Sequence, residues 1–501
     1  MIIPELIISL SILFLSTTLL LRSIFYTREP NLHRPPSPLA LPILGHLHLL
    51  GPIIHHSFHD LSSRHGPLFL LRLGSVQCWS PRLSLQKSSS RHMTFSSRQH
   101  SAAIKRLTYG VSFAFAPYGP YWKLIKKLAT MELLGTRSLN HFLPIRTNEI
   151  RQFLEIILMK ADVGWTVNVT EELLKLTNNV MSQMMFSIKC SGKQGEGDEA
   201  KILCVRNLDL QGFNKRTENI HQRYDALLEK IIADRERARS NKKDRRCDDA
   251  GKDFLDLLLD VLEDDKSDEV KITREHIKAL ILDFLTAATD TSAIATEWAL
   301  AELINNPTVL KKAQGEIDQV VGRQRLVQES DGPNLPYIQA IIKETMRLHP
   351  PIPMIIRKST QHCTVDGYHI PANTMLFVNF WSIGRNPGVW ESPLEFRPER
   401  FFEPGKGPGP MGFVDVKGQH FQLLPFGTGR RGCPGMSLAM QELPAVLAAM
   451  IQCFEWKAVK LGRDGLVDMS EGTGLTAPRA HDLVCAPVLW LELALLIFCH
   501  T

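Results

Sequence analysis

The chain has 501 residues, of which 44% are hydrophobic and 22% are charged, a balance typical of a globular protein with a large core. Its net charge of +6 is modest, and its basic residues are not gathered on one helix with interleaved aromatics, which argues against nucleic-acid binding. The nine cysteines are scattered without a CxxC pair or zinc spacing, which favours reduced thiols facing the cytosol over a disulfide framework.

The amino end is a predominantly apolar run from Ile2 to Leu21, with Glu5 near its start, where the carboxylate can reach the headgroups. As a helix, this run rises about 30 Å, which is enough to cross the hydrocarbon core of a membrane. Arginines follow between residues 22 and 34 and place the rest of the chain on the cytosolic side. A cleaved signal peptide is the alternative, but the run lacks a positive leading region and a small-residue cleavage site. We therefore expect a transmembrane anchor at 2–21, a basic, proline-rich linker at 22–45 and one domain at 46–501.

Helical periodicity dominates the middle of the chain, where apolar residues recur at three- and four-residue steps. Asn168 begins a glycosylation sequon, but in a cytosol-facing domain we expect it to open the helix that follows. Strand-like pieces are short and come late, around Cys363 to Ile370 and Met375 to Phe380. The sequence therefore predicts a mainly α fold with small β-sheets. The helical patterns cover Glu171–Phe186, Asn219–Arg239, His276–Ile304, Pro307–Val321, Tyr337–Leu348 and Met436–Cys453.

The pattern from His276 to Ile304 is a long, strongly apolar helix with Thr289, Asp290 and Thr291 at its middle. Polar groups at the centre of a buried helix need partners. In one interpretation, the hydroxyls bond to carbonyls one turn earlier and Asp290 pairs with a nearby base. In the other, the helix opens locally, and a hydroxyl and an acid meet a bound ligand.

Glu344 and Arg347 lie three residues apart on a predicted helix and therefore share one face. An exposed pair of this kind contributes only about 0.2–0.5 kcal/mol. Downstream, Arg400 lies in a proline-punctuated segment that cannot be regular, and buried carbonyls in such a segment need donors. A cluster of Glu344, Arg347 and Arg400 would supply those donors as a structural lock.

Residues 424 to 435 read LPFGTGRRGCPG and permit two interpretations. Gly427, Gly429 and Gly432 match the dinucleotide-binding fingerprint G-x-G-x-x-G, and a helical pattern follows them. However, the chain lacks the alternating strand–helix units that a dinucleotide-binding domain needs. The same residues also present Cys433, which makes the segment a candidate thiolate ligand loop.

A ligand loop must hold a thiolate and keep it from protonation. The three glycines allow backbone turns with φ > 0 that other residues resist. Pro434 suits the first turn of the helix that follows, and the N-terminus of that helix stabilises a sulfur anion.

Together these motifs resemble those of the cytochrome P-450 family, the haem-thiolate monooxygenases, over essentially the whole chain. The family's E-x-x-R helix, its PERF segment at 398–401 and its oxygen-activating helix at 287–292 occur in the correct order. The resemblance implies haem b with Cys433 as the axial iron ligand, and it makes the dinucleotide fingerprint a coincidence of loop glycines. The haem loop F-x-x-G-x-R-x-C-x-G is fitted by Phe426, Gly429, Arg431, Cys433 and Gly435.

The resemblance also implies roles for individual side chains. Asp290 and Thr291 are implied to deliver protons during oxygen activation. Relatives have glycine at the position of Ala288, and the added methyl would narrow the oxygen groove. Relatives more often have arginine at the position of Lys126, where lysine keeps the charge but loses the bidentate fork. The residues implied to bind the haem propionates are Arg431, Trp122, Lys126 and Arg357.

Closer likeness points to plant microsomal enzymes of flavonoid metabolism, namely flavone synthase II and the flavanone 2-hydroxylases. The likeness is carried by GHLHLLGPIIHHSFHDLSSRHGPL, NVTEELLKLTNN and GQHFQLLPFG. Isoflavone synthases, the nearest rivals, have lysine where this chain has Ile356, and flavone synthases have threonine there. The implied reaction oxidises a flavanone at C2 or C3 with O2 and with electrons that an NADPH–cytochrome reductase supplies. The implied location is the endoplasmic reticulum membrane, with the catalytic domain facing the cytosol.

Three segments depart from the family's pattern. Residues 79–93 contain a serine run and a poor apolar stripe. Residues 190–213 form a polar segment that is shorter than the corresponding segment of relatives. Residues 488–501 are largely apolar, where relatives have a polar tail. These departures support a second class of function, a haem-binding relative that no longer turns over substrate. A membrane-bound nicotinamide dehydrogenase is the remaining alternative.

Overall fold

The structure is a computed structural model, and its described residues form two compact units. One unit contains residues 1–97 and 354–383, and the other contains 98–353 and 384–501. The described residues are 9–18, 33–41, 44–73, 76–80, 95, 97–98, 102–189, 213–242, 252–263, 270–462 and 464–490.

Helices account for most of the described chain, as the sequence predicts, and the expected fold class is confirmed. An apolar helix, Ser9–Thr18, lies near the amino end. The helices that follow are α1 (Ile54–His65), α2 (Ala102–Leu107), α3 (Pro120–Lys127), α4 (Thr136–His141), α5 (Leu143–Asp162), α6 (Val169–Phe186), α7 (Phe213–Lys242), α8 (Phe254–Glu263), α9 (Arg274–Asn305), α10 (Pro307–Val320), α11 (Pro336–Leu348), α12 (Phe380–Gly384) and α13 (Met436–Cys453).

The strands are short, and several of them come late in the chain. They are β1 (Phe69–Leu73), β2 (Val76–Ser80), β3 (Val167–Asn168), β4 (Met354–Lys358), β5 (Cys363–Val365), β6 (Tyr368–Ile370), β7 (Met375–Asn379), β8 (Phe402–Glu403), β9 (Gly407–Pro408), β10 (Phe454–Ala458) and β11 (Val484–Leu489).

The smaller unit is built around a four-stranded sheet with the order β1-β2-β7-β4. Strand β7 runs parallel to β2 and antiparallel to β4. Helix α1 lies on this sheet, where Phe58 and Leu61 pack against Phe69, Leu71 and Phe377. These buried apolar side chains form a small core that belongs to this unit.

The larger unit has an extended apolar core that surrounds α9. Helix α6 packs beside α9, and two buried hydrogen bonds join them. Thr177 Oγ1 donates to the carbonyl of Thr289 at 3.0 Å, and Thr170 Oγ1 donates to Glu297 at 2.7 Å. The amino end of α6 is capped as predicted, because the Asn168 side chain accepts a hydrogen bond from the backbone N–H of Glu171.

Two of the described helices, α9 and α13, are long and apolar enough to cross a membrane, and most of the apolar stretch of each is buried inside the protein. The predicted anchor at 2–21 lies only partly within the described residues, as the shorter helix Ser9–Thr18. The anchor and the domain boundaries therefore stay predictions. Most of the three atypical segments also lies outside the described residues, which include only 79–80, 213 and 488–490 of them.

The predicted lock residues meet in the larger unit. Glu344 accepts hydrogen bonds from Arg347 at 2.7 and 2.8 Å and from Arg400 Nε at 3.0 Å. Glu344 is 0% exposed, and the two arginines are almost as deeply buried. The interior therefore holds two guanidinium charges against one carboxylate.

The other N–H groups of these two arginines donate to backbone carbonyls of an irregular segment. The Arg347 guanidinium also lies 5.2 Å from the ring centroid of Trp390. A buried carbonyl without a donor costs free energy. The lock therefore supplies the hydrogen-bond donors that a helix or a strand would otherwise supply to this segment. The carbonyls belong to Gly384, Glu391, Ser392, Pro393 and Glu395.

We predict that Glu344→Gln destabilises the fold by about 3–5 kcal/mol, because it leaves two buried guanidinium charges without a counter-ion. Thermal unfolding and the yield of folded protein would measure the loss. Glu403→Gln is the matched control, since the Glu403–Lys406 pair is exposed and solvent screens its contribution to stability. Equal stability of the two variants would contradict the lock.

A second buried carboxylate lies on α13 and has no such partner. Glu442 is 4% exposed, and its Oε1 has no hydrogen-bond partner among the described residues. The nearby Arg146 binds Glu329 through two hydrogen bonds, at 2.6 and 2.8 Å. Burial raises the pKa of Glu442 to about 7, and the charge of Arg146 only partly opposes that rise.

This pKa predicts the sign of a pH effect on stability. The unfolded chain ionises Glu442 near pH 4.5, whereas the folded chain ionises it near pH 7. Folding is therefore weakened by this group as the pH rises between those values, by about 3 kcal/mol in total. Glu442→Gln should lack this component. Between pH 5.5 and 7.5, the melting temperature of the wild type should fall steadily relative to that of the variant.

Candidate haem-thiolate site

The loop before α13 takes its shape from two glycines. Gly427 and Gly429 have φ of 70° and 66°, in the left-handed region that glycine tolerates. The expectation of positive φ at Gly432 is wrong, because its φ is −55°. Space is the constraint there, since a Cβ on Gly432 would lie 3.2 Å from the carbonyl oxygen of Gly429.

Cys433 lies at the amino end of α13, where backbone donors meet its sulfur. Its own N–H donates to the carbonyl of Phe426 at 2.9 Å, which closes the loop. Burial raises the pKa of the Cys433 thiol, while the backbone N–H groups of Gly435 and Met436 oppose that rise by donating to the sulfur. Pro434 lies before the N-cap, Gly435, so its predicted place in the first helical turn is wrong.

The side chain of Cys433 has an exposed surface, although protein atoms surround it closely. Helix α9 shows the same feature, because Thr286 and Ala287 are exposed at the middle of a helix that is otherwise largely buried. A ligand bound at Cys433 would therefore have protein on most sides.

Helix α3 supplies two side chains that face the haem loop. Trp122 and Lys126 are four residues apart and share a face of the helix. Lys126 Nζ donates to the carbonyl of Gly432 at 2.6 Å, and its charge also lowers the pKa of Cys433. The Arg431 guanidinium lies 4.4 Å from the ring centroid of Trp122. The loop is thus joined to α3 by one hydrogen bond and one cation–π contact.

An unpartnered donor among these groups fits a haem propionate. Trp122 is 3% exposed, and its Nε1–H has no acceptor among the described residues. A buried N–H without an acceptor is costly, and a carboxylate bound beside it would remove that cost. Together with a sulfur ligand held by helix N–H groups and with nearby cations, this donor makes the residues present fit haem. Haem bound at Cys433 would supply the chemistry of dioxygen activation.

One cation near the sulfur was not predicted from the sequence. The charge of Arg98 lowers the pKa of Cys433, and its Nη1 donates to the carbonyl of Ala114 at 3.0 Å. Its Nε has no acceptor among the described residues. Arg98 lies outside the sequence motifs described above. It comes near Cys433 only through the folding of the chain. Arg357, by contrast, is buried on β4 in the smaller unit, and its role toward the haem stays a prediction.

The predicted proton-delivery residues lie at the middle of α9. The helix continues through them without the local opening of the second interpretation. Thr291 Oγ1 donates to the carbonyl of Ala287 at 2.6 Å. This is the bond to a carbonyl one turn earlier that the first interpretation predicts. Asp290 is half-buried and partnered, whereas Thr289 Oγ1 is buried without a partner among the described residues. The part that these residues play in catalysis stays a prediction.

Known proteins share the sequence of this chain over most of its length. A model of the cytochrome P450 family matches residues 35–485. The chain belongs to the cytochrome P450 family. It is 60% identical to cytochrome P450 93B2 of Gerbera hybrida over 95% of this chain and 96% of that protein. It is 44% identical to the 2-hydroxyisoflavanone synthase of Glycyrrhiza uralensis, over 95% and 97% of the two chains.

A solved structure shows the same fold. A zebrafish cytochrome P450 determined with progesterone aligns with a TM-score of 0.73 and 25% identity, over 88% of this chain and 100% of that one. This chain is thus a plant P450 monooxygenase of the 93 family. Family members bind haem through a cysteine thiolate and receive NADPH electrons from a reductase. The dinucleotide interpretation of residues 424–435 and the dehydrogenase alternative are therefore wrong.

We predict that Trp122→Phe weakens haem retention while leaving the thiolate ligand in place. The variant keeps the ring beneath Arg431 but loses one hydrogen bond to a charged group, worth about 1.5–3 kcal/mol. Transfer of haem to an excess of an acceptor protein should therefore be about 10- to 100-fold faster. Trp165→Phe is the control, because Trp165 is exposed. Unchanged transfer from Trp122→Phe would show that its N–H does not bind the haem.

Proposed function

We propose that this chain oxidises a flavanone at C2 or C3, giving a flavone or a 2-hydroxyflavanone. The observation that carries the proposal is the likeness, over 95% of the chain, to a protein named 2-hydroxyisoflavanone synthase. The product in that name carries a hydroxyl at C2, which is one of the two carbons where the proposed reaction occurs. The oxidant is O2, and the electrons come from NADPH through the reductase.

The choice between the flavanone reaction and an isoflavone-type reaction rests on one side chain. Isoflavone synthases are expected to have lysine at the position of Ile356. This isoleucine is 38% exposed on β4, next to the buried Arg357. An apolar side chain there argues against the isoflavone-type reaction, although it also differs from the threonine of flavone synthases. The isoflavone-type reaction is the second candidate, and the name of the same relative favours it.

Within this proposal, each side chain of the site has one task. Cys433 is the axial ligand of the haem iron. The Nε1–H of Trp122 binds a propionate, and Arg431, Lys126 and Arg357 supply positive charge toward the propionates. Thr291, with Asp290 beside it, delivers protons during oxygen activation.

The proposal includes a location. Residues 2–21 anchor the chain in the endoplasmic reticulum membrane, and the arginines that follow keep the catalytic domain on the cytosolic side. The apolar helix Ser9–Thr18 supports an anchor of this kind.

The test is turnover of naringenin, a hydroxylated flavanone, by microsomes that contain this chain and a plant reductase. We expect the red-shifted Soret band of a thiolate-ligated haem with carbon monoxide, and we expect NADPH-dependent formation of a flavone or 2-hydroxyflavanone. Cys433→Ser is the control, because it removes the thiolate and should abolish both signals. Fractionation of the same cells should place the chain in the membrane pellet, and a chain without residues 1–21 should lose that association.

The outcomes separate the alternatives. An isoflavone-type product would support the second candidate and contradict the flavanone assignment. A normal thiolate band without turnover of any flavanone would identify a haem-binding relative that no longer acts on this substrate class.

A further inference from the structure

The buried carboxylate of Glu442 lies on the helix whose amino end meets Cys433. Glu442 is 4% exposed and is the seventh residue of α13, which follows the haem loop directly. Its position along the helix places it roughly 12 Å from Cys433, at a rise of about 1.5 Å per residue. Because Glu442 is buried, a change of charge near Cys433 acts on it through protein, and solvent screens that effect only weakly.

The cation that acts on Glu442 is already bound by another acid. Arg146 on α5 is 1% exposed, and its Nε and Nη2 donate to the two carboxylate oxygens of Glu329 at 2.6 and 2.8 Å. Its Nη1 donates to the carbonyl of Leu139 at 2.9 Å. Oε1 of Glu442 has no hydrogen-bond partner among the described residues. Two buried carboxylates therefore share one guanidinium, and Glu329 holds it with a bidentate pair of bonds.

The charges around Glu442 leave its own charge without a counter-ion. Burial disfavours the ionised carboxylate most strongly, Glu329 disfavours it further, and Arg146 favours it. Helices α9, α10 and α11 and strand β10 also pack against α13, and none of their described charged groups shifts the pKa of Glu442. Glu442 therefore exchanges its proton near neutral pH, and a further negative charge nearby would make it hold that proton more tightly.

We propose that Glu442 couples electron uptake at the Cys433 site to proton uptake from water. An electron that the reductase delivers to haem bound at Cys433 adds one negative charge at the amino end of α13. An ionised Glu442 is repelled by that charge and takes a proton from water, so the interior gains one electron and one proton together. The coupling is reciprocal, because an ionised Glu442 disfavours the electron to the same extent. This role depends on haem binding at Cys433 and not on which flavonoid the chain oxidises.

The size and sign of the effect follow from the position of the carboxylate. Two unit charges roughly 12 Å apart change an equilibrium constant about tenfold at an effective dielectric constant of about 20. A tenfold change is equivalent to about 59 mV for one electron. The midpoint potential is therefore high where Glu442 is neutral in both redox states and lower where it is ionised in both. Since the pKa of Glu442 is about 7 before reduction, the potential should fall between roughly pH 6 and 9.

Redox titration of the full chain with haem bound tests this coupling. The midpoint potential is followed through the Soret band with dye mediators and without substrate, between pH 5.5 and 9. The proteins compared are the wild type, Glu442→Gln and Glu329→Gln. The thiolate band with carbon monoxide, recorded on each sample, establishes haem binding independently of any turnover. Glu455→Gln is the matched control, because this carboxylate lies just beyond the other end of α13 and its side chain is 46% exposed.

We expect the potential of Glu442→Gln to match the wild type at pH 5.5 and to exceed it by about 59 mV at pH 9, because the amide stays neutral throughout. Glu329→Gln removes the acid that competes for Arg146, so the fall in potential should move to lower pH. That variant carries the test if Glu442→Gln does not bind haem. Glu455→Gln should follow the wild type at every pH.

Two results would overturn the proposal. One is an identical pH dependence of the potential in the wild type and Glu442→Gln, with Glu329→Gln also unchanged. The other is a constant offset between the wild type and Glu442→Gln at every pH. A constant offset would reflect altered packing around the haem loop and not a proton on Glu442.

Discussion

The haem loop, α3 and the start of α13 are organised around one atom, the sulfur of Cys433. Burial disfavours a charged sulfur, so the protein must supply fixed dipoles and cations nearby. The dipoles are the backbone N–H groups of Gly435 and Met436, and the cations are Lys126 and Arg98. These groups come from different stretches of the chain. A metal ion that binds the sulfur favours the thiolate further, so haem binding and the pKa of this thiol are coupled.

The cations around the sulfur are themselves tied to backbone carbonyls. Lys126 donates to Gly432, Arg98 to Ala114 and Arg431 to Phe113. The lock at Glu344 follows the same rule, because its arginines donate to the carbonyls of residues 384–395. Both places are irregular segments in which strand or helix hydrogen bonds do not satisfy the carbonyls. In these loops of the larger unit, long basic side chains therefore satisfy the backbone carbonyls, as backbone hydrogen bonds do in helices and strands.

Local patterns predicted much of this structure. The apolar spacing of α13 gave its bounds, Met436 and Cys453, without error, and the cap at Asn168 was foreseen because capping depends on neighbouring residues alone. The lock was foreseen because irregular, buried carbonyls require donors.

Interactions between distant segments were harder to predict. Arg98 was missed because its approach to Ala114 and Cys433 depends on tertiary contacts, which no spacing along the chain reveals. Gly432 was misjudged because the sequence does not distinguish a glycine needed for its φ from one needed for space.

Lys126 and Gly432 are 306 residues apart along the chain, and their contact fixes an order of events during synthesis. A ribosome delivers the chain from its amino end, so α3 emerges long before the loop that carries Cys433. Until that loop is made, α3 has no sulfur beside it, and haem bound to its proposed partners Trp122 and Lys126 alone would lack its proposed axial ligand, Cys433. With the proposed site, haem insertion would therefore be a late step, which acts on a nearly complete polypeptide. A shortage of haem in the cell would leave full-length apoprotein and not truncated chains.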